Sequence, residues 1–174
     1  MAHWILQANP AHWRIREVFA GGRKGTVWPV RRYRDAVAAG DDVALWVCGP
    51  GGGVVAVGRV IGEPFPGRPD KRLWTGGPAR TTVLPVEFGT AFLDRPIGRQ
   101  TLRADDRFAG SLILRMAGGG NPFPVTGPEW GAIAERVPGA GEHAVVATIV
   151  RGAAATTAGA VTAVREALRA AVHH

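Results

Sequence analysis

The chemistry open to this chain is bounded by a few side chains, and most of those that could react stand alone. Ser111 is the only serine and lies outside any nucleophile-elbow context. Cys48, the only cysteine, follows an apolar run with no histidine near it in sequence, which is the setting of an inert buried thiol. A single cysteine permits neither an internal disulfide nor a cysteine cluster for zinc. His3, His12, His143, His173 and His174 lack metal-ligand spacing, such as two histidines four apart on a helix with a glutamate between. Gly21-Gly22-Arg23-Lys24-Gly25-Thr26 lacks the spacing of a phosphate loop, and Gly51-Gly52-Gly53 lacks the dinucleotide fingerprint, so both read as turns. No catalytic centre, metal site or cofactor is expected.

Tryptophan is the residue in excess, six against one tyrosine. Trp4, Trp13 and Trp130 fall in a strand or on apolar helix faces, the settings of core residues. Trp28 falls in a loop-like basic segment, Trp46 near a strand end and Trp74 in a polar loop. These three are candidate walls of a pocket for a planar base, because stacking on an aromatic ring is worth about 1–3 kcal/mol per base. Arg23, Lys24, Arg31, Arg32 and Arg34 surround Trp28 with no acid between Arg23 and Arg34, so phosphate-binding charge would flank the wall. A solvated basic face is the alternative for that run. The amides of Asn9 and Asn121 offer both donor and acceptor to a base edge. Asn9-Pro10 equally suits a helix N-cap, and Gly118-Gly119-Gly120-Asn121-Pro122 is good loop chemistry by itself.

Lys and Arg together outnumber Asp and Glu by 21 to 14, and Lys24 and Lys71 are the only lysines. The positive charge is therefore carried by forked guanidinium groups suited to phosphates and base edges. A coding bias toward Arg, Ala and Gly gives the same composition, so charge alone decides little. No stretch approaches 18 apolar residues, and Met1 to Gln7 runs into a strand without a charged leader, so a soluble cytoplasmic protein is expected, with no membrane partner.

The elements that must position these residues are readable in outline. Trp4 to Gln7 reads as a strand, followed by a helix from the Asn9-Pro10 cap to Ala20, closed by Gly21-Gly22. Val43 to Val47 and Val54 to Ile61 are β-rich runs joined by a Gly-Pro turn, expected at the sheet centre. Residues 62–79 form a long loop carrying Trp74, and Thr81 to Phe88 resumes as a strand. Arg99 to Arg103 reads as a helical turn and Leu112-Ile113-Leu114 as a short apolar piece. Thr126 and Glu129 make a capping box ahead of a helix from Gly127 to about Arg136. Beyond Pro138 the chain is rich in Ala and Gly, with a terminal helix expected over Thr157 to Val172.

Trp4-Ile5-Leu6-Gln7-Ala8-Asn9-Pro10, Trp28-Pro29-Val30-Arg31-Arg32-Tyr33, Ala44-Leu45-Trp46-Val47, and Leu112-Ile113-Leu114-Arg115 with Asn121-Pro122-Phe123-Pro124 resemble, in that order, an EVE domain over about residues 3 to 136. The resemblance implies an α+β fold of the PUA-like superfamily, related to YTH domains: a small mixed β-barrel with helices packed around it. Residues 1–137 would be that domain and 138–174 an extension whose terminal helix docks on the barrel or on a second subunit, making a homodimer. It also implies a pocket for a flipped or single-stranded base in nucleic acid, DNA before RNA. Modified bases are the implied ligands: methylated or hydroxymethylated cytosine, or methyladenine.

Trp28 and Trp46 carry over by motif, Trp74 by analogy with the YTH aromatic cage, and Thr26 falls where the family places small polar pocket residues. Cys48-Gly49 departs from the Ser and Asn of part of the family. An ASCH-type nuclease or nucleoside hydrolase is the alternative, but no Lys, Thr and Glu constellation is evident, and a protein-interaction module using the terminal helix is a third. The reading preferred is a reader of bases, not an enzyme.

Overall fold

The computed structural model describes residues 1–20, 25–75, 80–116, 118 and 120–139. The chain divides into Met1–Val137 and Pro138–His174, and every described element lies in the first unit. The terminal helix expected over Thr157 to Val172, and with it the homodimer, lies outside the described residues.

In chain order the elements are β1 (His3–Ala8), α1 (Ile15–Ala20), β2 (Gly25–Val30), β3 (Asp42–Val47), β4 (Gly53–Val60), β5 (Phe65–Gly67) and β6 (Thr81–Ala91). They continue with β7 (Ile97–Gly98), α2 (Arg99–Arg103), α3 (Leu112–Arg115), β8 (Phe123–Val125) and α4 (Gly127–Ala134). The strands form one mixed sheet in the order β2-β6-β4-β3-β1-β8, with β5 beside β6 and β7 beside β4. β1 pairs β3 in parallel, Gln7 opposite Trp46, and the other strand pairings are antiparallel.

β3 and β4 lie at the centre, as their unbroken apolar runs require, because a strand covered on both faces needs apolar residues at successive positions. Val43 and Leu45 face one core, with Trp4, Leu6, Trp13, Trp28 and Leu84. Ala44 and Trp46 face the other, with Ile5, Leu102, Phe108 and Ile133. The β4–β6 ladder shifts register between Val57 and Gly58, where a Cβ on Gly58 would collide with the Glu87 carbonyl, so only glycine lets the strands approach.

Three expectations are corrected. The segment around Trp28 is not a loop: Thr26 to Val30 is strand, paired residue for residue with β6, Trp28 opposite Leu84. The first helix starts at Ile15, not at the Asn9-Pro10 cap, because Trp13 bridges to Trp74 and Arg14 N–H donates to the Leu73 carbonyl at 2.8 Å. The long loop contains β5. The capping box at α4 is present, with Thr126 Oγ1 accepting from Glu129 N–H and Glu129 Oε2 accepting from Thr126 N–H at 2.6 Å.

Candidate functional site

A cavity of about 420 Å³ opens where β1 and β2 end, and its lining includes Gln7, Asn9, His12, Arg31, Trp74 and Asn121. Three loops meet there, each tied to its neighbour by backbone bonds. Asn9 ends β1 and folds the chain back: Asn9 Oδ1 accepts from Ala11 N–H at 3.0 Å, and its carbonyl accepts from His12 and Trp13 at 2.9 and 3.0 Å. Asn9 is thus a turn cap and a lining residue at once. The Trp74 loop is laced to this turn, since Thr75 N–H donates to the His12 carbonyl at 2.8 Å and Thr75 Oγ1 donates to the Ala11 carbonyl at 3.1 Å.

Asn121 supplies the third tie. Its Nδ2 donates to the Gln7 carbonyl at 2.8 Å and its Oδ1 accepts from Gln7 N–H. Its own carbonyl accepts from Arg31 and Arg32 N–H at 3.0 and 3.2 Å, and the Asn121–Pro122 peptide is cis. The amide expected to read a base is therefore engaged in joining β1 to the end of β2. Gly118 and Gly120, at φ +98° and +96°, give the loop before it left-handed turns that side-chain-bearing residues rarely adopt.

Behind the cavity stands a tryptophan cluster. Trp28 meets Trp74 edge-on at 5.0 Å and Trp13 at 4.6 Å, and Trp13 and Trp74 are 5.8 Å apart. Trp74, half-buried, lines the cavity, while Trp28 at 0% and Trp13 at 1% exposure lie behind it. Trp28 therefore backs the wall instead of forming it, because β2 is paired into the sheet and turns its indole into the core. Trp46 is in the other core, parallel to Phe108 at 6.4 Å, with the Arg99 guanidinium 5.8 Å from its ring. Alternation along β3 sends it away from Trp28, so the three expected walls are not one cage. Thr26 is half-buried on β2 and not part of the lining. The buried Nε1 atoms of Trp13, Trp28 and Trp74 have no acceptor among the described residues.

Among the described residues of the lining, Arg31 is the one arginine or lysine, and no Asp or Glu joins it. Arg32 and Arg34 are exposed on the same turn, and Arg23 and Lys24 lie outside the described residues. Gln7, His12 and Thr75 were not among the pocket residues expected from the sequence, where His12 was weighed only as a metal ligand; Gln7 is two positions before the Asn9-Pro10 turn, the only local sign of it. Burial pushes the Cys48 thiol above its ordinary pKa, against a Gln7 side-chain hydrogen bond and the Arg99 charge, so the reactive thiolate is disfavoured. Among the described residues no three His, Cys, Asp or Glu side chains are grouped to hold a metal, and no helix is long and apolar enough to cross a membrane.

The family model described as EVE domain matches residues 2–136. No curated protein matches the chain. Among solved structures, a hypothetical protein of Leishmania major is 17% identical with a TM-score of 0.58, covering 78% of this chain and 93% of its own. A Pseudomonas syringae protein is 21% identical with a TM-score of 0.56, covering 76% and 97%. Human THYN1 protein, solved in complex with DNA containing 5-methylcytosine, is 17% identical with a TM-score of 0.54, covering 76% and 95%. The likeness is one of fold: a curled mixed sheet forming a half-barrel with a few helices, of the PUA-like kind.

Proposed function

The chain belongs to the EVE domain family, and from that premise and the cavity together we propose that it is a nucleic-acid reader that holds one modified base, of DNA before RNA, against Trp74. The observation that carries the reading is the cavity itself: a half-buried indole on one wall, amide and hydroxyl groups around it, and one arginine with no Asp or Glu among the described lining residues. An indole face gives a base stacking energy, neutral polar groups give its edge hydrogen bonds, and Arg31 gives the phosphate a charge. A cavity of this volume is within the range of sites that enclose small ligands. The structural relative solved with 5-methylcytosine DNA supports methylated cytosine as a ligand, alongside hydroxymethylcytosine and methyladenine. Binding with no covalent step at a cytoplasmic, reduced Cys48 completes the proposal.

The test is a binding panel of otherwise identical oligonucleotides carrying plain or modified bases, with wild type and Trp74→Ala side by side. Tighter binding of at least one modified strand, weakened by Trp74→Ala, is the expected result. Equal binding of all strands, unaffected by Trp74→Ala, would remove the cavity from the function.

A further inference from the structure

The turn that follows β2 carries an aromatic ring where the backbone disfavours one. Tyr33 stands at φ +54°, the only residue other than glycine in the left-handed region among the described residues. A bulky side chain is strained there, and glycine, asparagine or aspartate suit the position better. The Tyr33 carbonyl accepts from Ala36 and Val37 N–H at 3.1 Å each, so backbone bonds hold the turn. Its ring leans on the buried Trp4 at 5.6 Å, tilted by 45°, yet the residue stays 41% exposed between the exposed Arg32 and Arg34. Packing on Trp4 therefore uses only part of the ring. The cavity mouth is close by: Arg31 lines the cavity, and two residues of chain span at most about 7 Å. Arg31 and Arg32 N–H are both fixed on the Asn121 carbonyl, and Arg32 Cδ lies 3.9 Å from where a Cβ on Gly120, a lining residue, would stand.

We infer that Tyr33 is a stacking platform for the nucleotide next to the base in the cavity, so that the site grips two neighbouring nucleotides and not one isolated base. The inference rests on the reading of the cavity as a base pocket. A base turned into the cavity leaves its neighbour in the strand without a stacking partner. An aromatic face at the mouth replaces that partner, and because every base has a π-face it adds affinity without choosing sequence. Arg31 and Arg32 lie between cavity and ring, where they meet the phosphates that join the two nucleotides. A turn alone calls for glycine or asparagine at this position; a platform calls for the ring. The stack uses the ring and not the phenolic hydroxyl.

The probes are short single strands with one central 5-methylcytosine, either complete or lacking the base of the nucleotide on its 5′ or its 3′ side. Wild type should bind one of the two abasic strands about tenfold more weakly than the complete strand, the scale of one base–aromatic stack. Tyr33→Asn, which suits the left-handed backbone and removes the ring, should bind the complete strand about tenfold more weakly and lose nothing further when that base is missing. Tyr33→Phe should bind as wild type does. Tyr33 is the only tyrosine, so wild type labelled with fluorotyrosine gives one fluorine resonance. That resonance should move at saturation with the complete strand and move less with the abasic one, which decides the matter alone if Tyr33→Asn does not fold. Equal binding of all three strands by wild type, a folded Tyr33→Asn that keeps the wild-type pattern, a Tyr33→Phe as weak as Tyr33→Asn, or an unmoved resonance overturns the inference. The base pocket stands in each of these cases where Trp74→Ala still weakens binding of the complete strand. Failure of every strand to bind overturns both.

Discussion

Asn121 acts on Gln7 as a strand would, giving its carbonyl a donor and its N–H an acceptor from one side chain where β8 no longer pairs with β1. Removal leaves two half-buried backbone groups unpaired. Asn121→Ala should therefore cost about 1–3 kcal/mol of folding free energy. Asn121→Asp should cost at least as much, since it sets a second oxygen against the Gln7 carbonyl. Urea unfolding of both variants measures this; stability within about 0.5 kcal/mol of wild type, the size of an ordinary surface substitution, would show that the bracing is idle.

The tryptophan cluster separates stability from binding. Trp28 is fully enclosed, so Trp28→Ala should lose about 3–5 kcal/mol of folding free energy. Trp74 is half-buried and lines the cavity, so Trp74→Ala should lose about 1–3 kcal/mol of base binding, with a smaller stability loss than Trp28→Ala. Thermal melting beside titration at a temperature where both variants are folded distinguishes them. A Trp28→Ala protein that melts like wild type would contradict its placement in the core.

Acid should loosen the protein through Asp41. Burial raises its pKa, but Ala2 N–H at 2.8 Å, Trp4 Nε1–H at 2.9 Å and Ala38 N–H at 3.0 Å, with the N-terminal charge, bring it below the ordinary carboxylate value. The folded state then binds fewer protons than the unfolded one in that range. Its contribution is whole above the unfolded pKa of about 3.9 and is lost as pH falls through the folded value. Asp41→Asn should be less stable than wild type at neutral pH, where an amide nitrogen in place of either oxygen would face at least one of these N–H donors, and should lose less on acidification. Parallel melting curves for the two proteins across the acid range would expose an error in sign.

What was legible in the sequence was what local residues decide. Thr126 and Glu129 form their capping box within one turn, and the Val-rich runs of β3 and β4 have no place but the centre of a sheet. Trp28 was misplaced because arginines before and after it suggested a loop, whereas the β6 partners that enclose it are far along the chain. Trp46 was grouped with Trp28 because motif order says nothing about which face of a strand a side chain takes. Gln7 was passed over for the same physical reason. Its place in the lining depends on Asn121 and Gly118, which meet it only after the sheet has formed.

The arginines at the cavity mouth should set affinity without setting sequence preference. Arg31 and Arg32 have backbone N–H groups held by the Asn121 carbonyl, so both exposed side chains start from a fixed point beside the cavity. A guanidinium at a phosphate displaces a condensed counterion, which makes the logarithm of affinity fall with the logarithm of salt concentration by about 0.7 per contact on single strands. If each arginine meets one phosphate, the Arg31→Ala, Arg32→Ala double variant should reduce that slope by about 1.4, from two contacts at about 0.7 each. It should weaken modified and plain strands by the same factor, because phosphate contacts carry no base information. Replacement of both by Lys should keep most of the slope, since the charge remains although the fork is lost. A slope unchanged by the alanine pair would move the phosphate path elsewhere on the surface. A loss confined to the modified strand would instead mean that Arg31 reads the base.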